Sequence, residues 1–355
     1  MREKQNMNIY DISKAAGVSI ASVSRVINGA DNVSEKTREK VLKVIDQYGY
    51  TPNAYARGLG RGSMRTIGIM CSDSSDIYLA NAIHYLETGL REHGYNSILC
   101  CTGYDLEDKK RSFELLKSRQ VDAIIMAGSK YVELNPWDNQ YIIEGAKEHP
   151  VMMVNGAIEG ENIYSVICDD RGAMEESVKR LVDSGAKKLI YVYSSRSYSG
   201  IRKLEGFTAG AKETGLSEED ARIVQGKKDF HEIASLLRRE FKKAPFDAVL
   251  CSSDTSGVGA LKFALSEHLS VPEDLQIVSF NNSVLSTATN PELTSVDSRL
   301  EDLCTKTISL LMDILSPNPD DDQDTIRAIP KVPSKNVLEA KIVERGTTRF
   351  IRKRN

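Results

Sequence analysis

The chain lacks an apolar run of membrane-spanning length in its 355 residues, and its amino terminus, MREKQNMN, carries no signal-peptide core. A cytoplasmic protein is expected. Catalytic signatures are missing as well: there is no G-x-S-x-G, no H-E-x-x-H, no P-loop and no G-x-G-x-x-G after a strand. The five histidines, His84, His93, His149, His231 and His268, are scattered and read as surface or helix-end residues rather than bases. No catalytic residue is assigned, and an enzyme is not expected. Cysteine is sparse, and most of the six sit inside apolar runs such as Ile98-Leu99-Cys100-Cys101, Ile167-Cys168 and Leu250-Cys251. That placement describes reduced core thiols rather than a disulfide frame. Cys100 and Cys101 do not have metal spacing, because neighbours in a strand point to opposite faces. The acidic run Asp320-Asp321-Asp322-Gln323-Asp324 lacks the glycine and glutamate of a calcium loop and reads as solvated surface. No metal and no cofactor is expected.

At 355 residues and 41% hydrophobic content the chain is long enough for two or three domains around a large core. Its net charge of -3 hides an asymmetry. Residues 1 to 62 hold ten Lys+Arg against six Asp+Glu, whereas the remainder holds 37 against 44. Only the front end is electrostatically suited to a phosphate backbone.

That front end contains the most informative stretch, Asn8 to Asn28. Asn8 is placed to cap a first helix, with Asp11 as the reciprocal carboxylate of a capping box and Ile9, Ile12 and Ala16 on one face. Gly17 supplies the left-handed residue that ends this helix in a tight turn. Ser19 then caps a second helix whose Val23, Val26 and Ile27 point inward, leaving Ile20, Ala21, Ser22 and Arg25 on the other face. Ser34 caps a third helix, Glu35 to Tyr48, with Val41, Leu42 and Ile45 closing the small core and Gly49 stopping it. Two helices joined by so short a turn make a helix-turn-helix whose second helix can enter a major groove.

The run D-I-S-K-A-A-G-V-S-x-A-S-V-S-R-V-I-N-G, followed by V-S-E-K-T-R-E-K-V and G-Y-T-P-N-A-Y-A-R-G-L, resembles the amino-terminal headpiece of the LacI/GalR family of transcriptional regulators. The resemblance spans more than fifty residues and implies a sequence-specific regulator, a repressor acting as a homodimer on near-palindromic double-stranded operator DNA. It divides the chain into a helix-turn-helix headpiece at 1–52, a hinge at 53–63 and a core at 64–355. Arg25 is the expected base reader, because a guanidinium can hold two guanine acceptors in a fork. Ile20 and Ala21 stand at the family's specificity positions. Tyr10, Ser19, Ser22, Ser24, Asn28, Asn32 and Thr37 are placed for phosphate contacts, which fix register without reading sequence. Tyr50 and Asn53 anchor the hinge, where Ala56 and Arg57 also face DNA. Gly58 and Gly60 weaken this short segment as a free helix, so it is expected to fold on DNA with Leu59 wedged into the minor groove.

From Thr66 the pattern changes to short β-rich runs alternating with amphipathic helices, the signature of a parallel α/β sheet. Strands are predicted at Ile67 to Cys71, Ser97 to Cys101, Ala123 to Ala127, Val151 to Val154, Leu189 to Tyr193, Ala248 to Cys251 and Ile277 to Phe280. A faint repeat, Val121-Asp122-Ala123-Ile124-Ile125 against Phe246-Asp247-Ala248-Val249-Leu250, suggests two similar halves. The resemblance gives the same picture: two Rossmann-like, periplasmic-binding-protein-like subdomains facing each other across a cleft. Three crossings are expected, near Val166, Val296 and Ile329. They give an N-subdomain of about 64–166 and 297–328 and a C-subdomain of about 167–296 and 329–348.

By the same resemblance, a small-molecule effector, a carbohydrate or related metabolite, binds in the cleft and changes operator affinity allosterically, with room for a protein corepressor. Lys203 stands where the family carries an arginine three residues before Gly206-Phe207, and Asn281 follows Ser279-Phe280 where relatives carry an aspartate. Lysine loses the planar two-point donor and asparagine the charged carboxylate, so a small polar ligand is expected in place of a pyranose held in the usual way. Ser253 with Asp254, and Asp76 with Tyr78 after the first core strand, complete the expected effector residues.

Overall fold

The computed structural model describes residues 7–27, 32–50, 63–227, 229–316 and 333–350. The chain forms two compact units, residues 1–66 and 67–355.

In the first unit three helices, Ile9–Ala16, Ile20–Ile27 and Glu35–Tyr48, close on Ile12, Val23, Val26 and Val41, all buried. Asn8 makes the full capping box: its Oδ1 accepts from the backbone of Tyr10 and Asp11, and the Asp11 carboxylate accepts from Asn8 N at 2.9 Å. Gly17 ends the first helix at φ +65°, where a side chain would be strained. Ser19 caps the second helix through Ser22 N at 3.1 Å. The third helix departs from expectation on one residue. Leu42 is half exposed, and Val44 joins Val41 and Ile45 against the core. The reason is the helical period: 41, 44 and 45 share one face, while 42 lies about 100° round from 41.

The second unit holds two six-stranded sheets. Strands β1 (Thr66–Cys71), β2 (Asn96–Cys101), β3 (Ala123–Ala127), β4 (Val151–Val154) and β5 (Ile163–Cys168) belong to the first lobe. β6 (Leu189–Tyr193), β7 (Ala221–Gln225), β8 (Ala248–Cys251), β9 (Gln276–Phe280) and β10 (Thr294–Asp297) belong to the second. The last two strands, β11 (Lys335–Leu338) and β12 (Lys341–Val343), are shared out one to each lobe. The first sheet runs β11-β5-β4-β3-β1-β2 and the second β12-β10-β9-β8-β6-β7. The orders superpose strand for strand, with β3 opposite β8, which is where the sequence repeat falls. β11 pairs parallel to β5, whereas β12 pairs antiparallel to β10.

Each sheet is buried on both faces, so its inner strands read as unbroken apolar runs. Ile67 and Ile69 pack under the helices Ile77–Glu92 and Leu300–Leu315, while Met70 faces the layer of Phe113 and Leu116. In the second lobe, helices Asp170–Asp183 and Tyr198–Glu213 lie close together over Tyr191, against which Phe207 of the second helix stacks. Gly206 makes this approach possible, since a Cβ there would collide with the Arg171 carbonyl oxygen.

The chain crosses between lobes three times. The first crossing comes after β5, whose last residue is Cys168, and the second after β10, whose last residue is Asp297. Both are within a few residues of the expected places. The third is different: β11 extends the first lobe's sheet, with Leu338 opposite Cys168, so the chain crosses between Leu338 and Lys341 and not near Ile329. The C-subdomain therefore resumes at Lys341 rather than at 329. The acidic run at 320–324 lies outside the described residues.

The sequence pattern does not predict strands β5, β7, β10, β11 and β12. β10 shows why. Thr294 and Ser295 read as polar loop residues, yet both are fully buried because Thr347, Thr348 and Asp254 satisfy them.

Candidate functional sites: a reading helix and an interlobe cleft

The helix Ile20–Ile27 buries Val23 and Val26, and this orientation puts Ile20, Ala21 and Arg25 on its exposed side, with Ser19 exposed at its start. Tyr10 is 66% exposed and Asn32 is exposed, whereas Thr37 and Ser24 are half-buried. The Thr37 hydroxyl is engaged with Ser34 Oγ at 2.9 Å. Tyr50 packs against the small core, its N–H donating to Ile45 O at 3.0 Å. Asn28, Asn53, Ala56, Arg57 and Leu59 lie outside the described residues.

In the second unit a cavity of about 350 Å³ opens between the lobes. Its lining comes from segments that leave the carboxyl ends of parallel strands: Ser72 after β1, Ser129 after β3, Asn155 after β4, Ser194 after β6, Ser252 after β8 and Asn281 after β9. This is where open α/β sheets bind ligands. Asp76, Tyr78, Lys203, Ser253, Asp254 and Asn281 all line this one cavity. Ten of the lining residues are serines and none, among the described residues, is an arginine. The wall therefore offers rotatable hydroxyls instead of planar charged clamps.

The roles of the six residues differ. Asp76 caps the helix Ile77–Glu92, accepting from Tyr78 N at 3.0 Å and Leu79 N at 3.2 Å. Ser253 caps the helix Asp254–Ser266. Asp254 is almost wholly buried, and its two oxygens receive four hydrogen bonds. Oδ1 accepts from Ser279 Oγ and Ser295 Oγ, each at 2.6 Å, and Oδ2 from Ser283 N at 2.6 Å and Ser283 Oγ at 2.7 Å. Its carboxylate is a structural hub at the cleft wall, tying β9, β10 and the Asn281–Ser283 turn together.

Lys203 is 6% exposed. Its ammonium donates to Ser252 O at 3.3 Å, sits 3.8 Å from Asp170 Oδ1 and lies 4.1 Å from the centre of the Phe280 ring. Burial pushes the Asp170 carboxyl above its ordinary value, and the Lys203 charge partly offsets that. The Tyr78 hydroxyl is buried beside Ser298. Burial, and then the Asp170 carboxylate, hold its phenol well above the ordinary range.

Sequence reasoning missed three features. Asp170 lies just beyond β5 and is read in sequence only as the second of two aspartates after Cys168. Asn155 is 6% exposed and lines the cleft, and its Oδ1 is buried with no hydrogen-bond partner. Its signal is a polar residue closing the apolar run of β4. Ser129 donates to Ser197 Oγ at 2.9 Å, a direct bond from one lobe to the other at the cleft. No local pattern announces a contact 68 residues apart.

Comparison with known proteins agrees with both units. Bacterial regulatory proteins of the lacI family match residues 8–53, and a periplasmic binding protein-like domain matches residues 178–348. An HTH-type transcriptional regulator of Lachnoclostridium phytofermentans is 45% identical over 345 residues, covering 97% of this chain and all of that protein. Catabolite control protein A of Priestia megaterium is 33% identical over 314 residues, 86% of this chain and 92% of that one. Among solved structures, the lac repressor dimer bound to operator and the anti-inducer ONPF superposes with a TM-score of 0.84 at 20% identity, covering 97% and 99% of the two chains.

A helix-turn-helix joined to a two-lobed α/β core of this kind defines a DNA-binding transcriptional regulator, not an enzyme. The chain belongs to the LacI family of bacterial regulatory proteins. Among the described residues no helix is long and apolar enough to cross a membrane.

Proposed function

We propose that the protein is a cytoplasmic homodimeric repressor that places one reading helix in each half of a near-palindromic operator and releases or tightens its hold when a small polar ligand occupies the interlobe cleft. The observation that carries this reading is the cleft itself, walled by serines and asparagines from both lobes at the carboxyl ends of their strands. A ligand touching both walls binds the closed core better than the open one, and that difference in affinity is what moves an equilibrium. The lac repressor dimer, solved with both operator and an anti-inducer, supports the arrangement by analogy of fold.

Arg25 is the base reader in this scheme, and the segment 53–63 is the hinge, with Leu59 at the operator centre. The ligand is a compact hydroxylated molecule. Lys203 is already shared between Asp170 and Ser252, and the Asp254 oxygens are occupied, so hydroxyl and amide groups do the recognising. Fluorescence anisotropy with a labelled palindromic duplex tests the reading. One palindrome is expected to bind at least a thousandfold tighter than random duplex, with affinity falling steeply as salt rises. A screen of sugars, sugar phosphates, purines and nucleosides should then yield a compound that shifts the titration. Equal affinity for every duplex would refute the proposal.

A further inference from the structure

Between β9 and the short helix Val284–Thr287 the chain runs through Asn281, Asn282 and Ser283. Two of these hold a backbone conformation that side chains resist, with φ +100° at Asn281 and +47° at Asn282. Such strain persists where the surroundings over-determine it, and it collects at ligand clamps. Asn281 and Ser283 line the cleft, while Asn282 turns away from it into a set of polar bonds. Its N–H donates to Ser295 Oγ at 3.0 Å and its side-chain Nδ2 to Asp297 Oδ2 at 3.3 Å, and its Oδ1 accepts from Arg345 Nη2 at 2.6 Å.

Arg345 is remote in sequence and does not line the cleft. Its guanidinium also donates through Nη1 to Leu293 O at 2.8 Å, and its backbone N–H donates to Thr294 Oγ1 at 2.9 Å. One planar fork thus pins both ends of the excursion between β9 and β10. Asp297 carries the same network onward by accepting from Arg299 N at 2.7 Å, where the chain crosses back to the first lobe.

We infer that Arg345 is a positioning residue for the cleft: its fork holds Asn282 in the left-handed conformation and so aims Asn281 and Ser283 at the ligand. The inference rests on the cleft being the effector site, and it assigns Arg345 no contact with the effector. Lysine cannot replace it, because an ammonium lacks the two-point planar donor.

Hydrogen–deuterium exchange of the full-length protein without ligand tests this, so its outcome is independent of whether an effector is ever found. Arg345→Gln is expected to speed exchange at the amides of Asn281, Asn282 and Ser283 at least tenfold while β1 and β3 stay unchanged, and Arg345→Lys should behave alike. Asn282→Gly, where glycine takes positive φ freely, should reduce the effect of adding Arg345→Gln to under threefold. The inference is overturned if those amides stay protected in Arg345→Gln, if exchange rises evenly through the second lobe, if glycine gives no rescue, or if both Arg345 variants fail to fold.

Discussion

Replacing Asp254 by alanine removes the acceptor for four donors at once. Two of these, the hydroxyls of Ser279 and Ser295, are fully buried. Leaving a buried donor unsatisfied costs roughly 1–3 kcal/mol. The Ser283 amide and hydroxyl face the cleft and can turn to water, so they add less. Asp254→Ala should therefore destabilise the core by about 3–5 kcal/mol. Asp254→Asn keeps one carbonyl oxygen for the Ser283 amide and presents its NH2 to hydroxyls that can rotate to accept. What it loses is the extra strength of bonds to a charged acceptor, about 1–2 kcal/mol in all. Urea unfolding of purified protein, followed by circular dichroism and with the slope compared between variants, measures both. The order parent, asparagine, alanine is the expected result. If alanine falls within about 1 kcal/mol of the parent, or asparagine is as harmful as alanine, the buried hub is not what Asp254 provides and the reasoning fails.

Four further outcomes are expected. Arg25→Ala should relax preference at one base pair per half-site at a cost of about 1–3 kcal/mol, and an equal loss on all duplexes in a competition titration would mean that Arg25 meets only phosphate. Ile12 is fully buried in a core of four such residues, so Ile12→Ala should cost roughly 2–5 kcal/mol and abolish operator binding, while calorimetry shows the main transition of the second unit unmoved. A carboxyl whose folded value is raised binds its proton more tightly folded than unfolded, so stability falls as pH rises through that value. Lys203→Met removes the offsetting charge, and its melting temperature should fall more steeply than the parent's as pH rises above the ordinary carboxylate range; parallel curves would count against the pairing. Alkylation at pH 8 with mass-spectrometric readout should label exposed Cys101 first, since burial pushes the Cys71 thiol up to about 11 and the Cys304 thiol up to about 12.

The small first unit was legible almost residue by residue because its determinants are local. A capping box three residues wide, a glycine where φ must be positive and a 3.6-residue apolar period all act within one or two turns. Leu42 is the exception: it adjoins Val41 in sequence but lies about 100° round the helix from it, on the exposed side. In the core, the sequence carried the alternation of strand and helix, since an apolar run bounded by a polar residue marks where a parallel strand stops, and a faint repeat pointed to the duplication; the cleft residues came from the family resemblance and not from the pattern.

What only the tertiary structure decided is which polar groups spend their hydrogen bonds on one another. Asp254 and Ser295 are 41 residues apart and Asn282 and Arg345 are 63, and nothing local signals either pairing. The third crossing followed the same logic. β11 adds to the edge of the first sheet because β5 has unpaired backbone there to offer. Edge pairing, burial of polar strands such as β10 and the partner of a buried carboxylate are properties of the assembled sheet, whereas caps, turns and periodicity are properties of the chain.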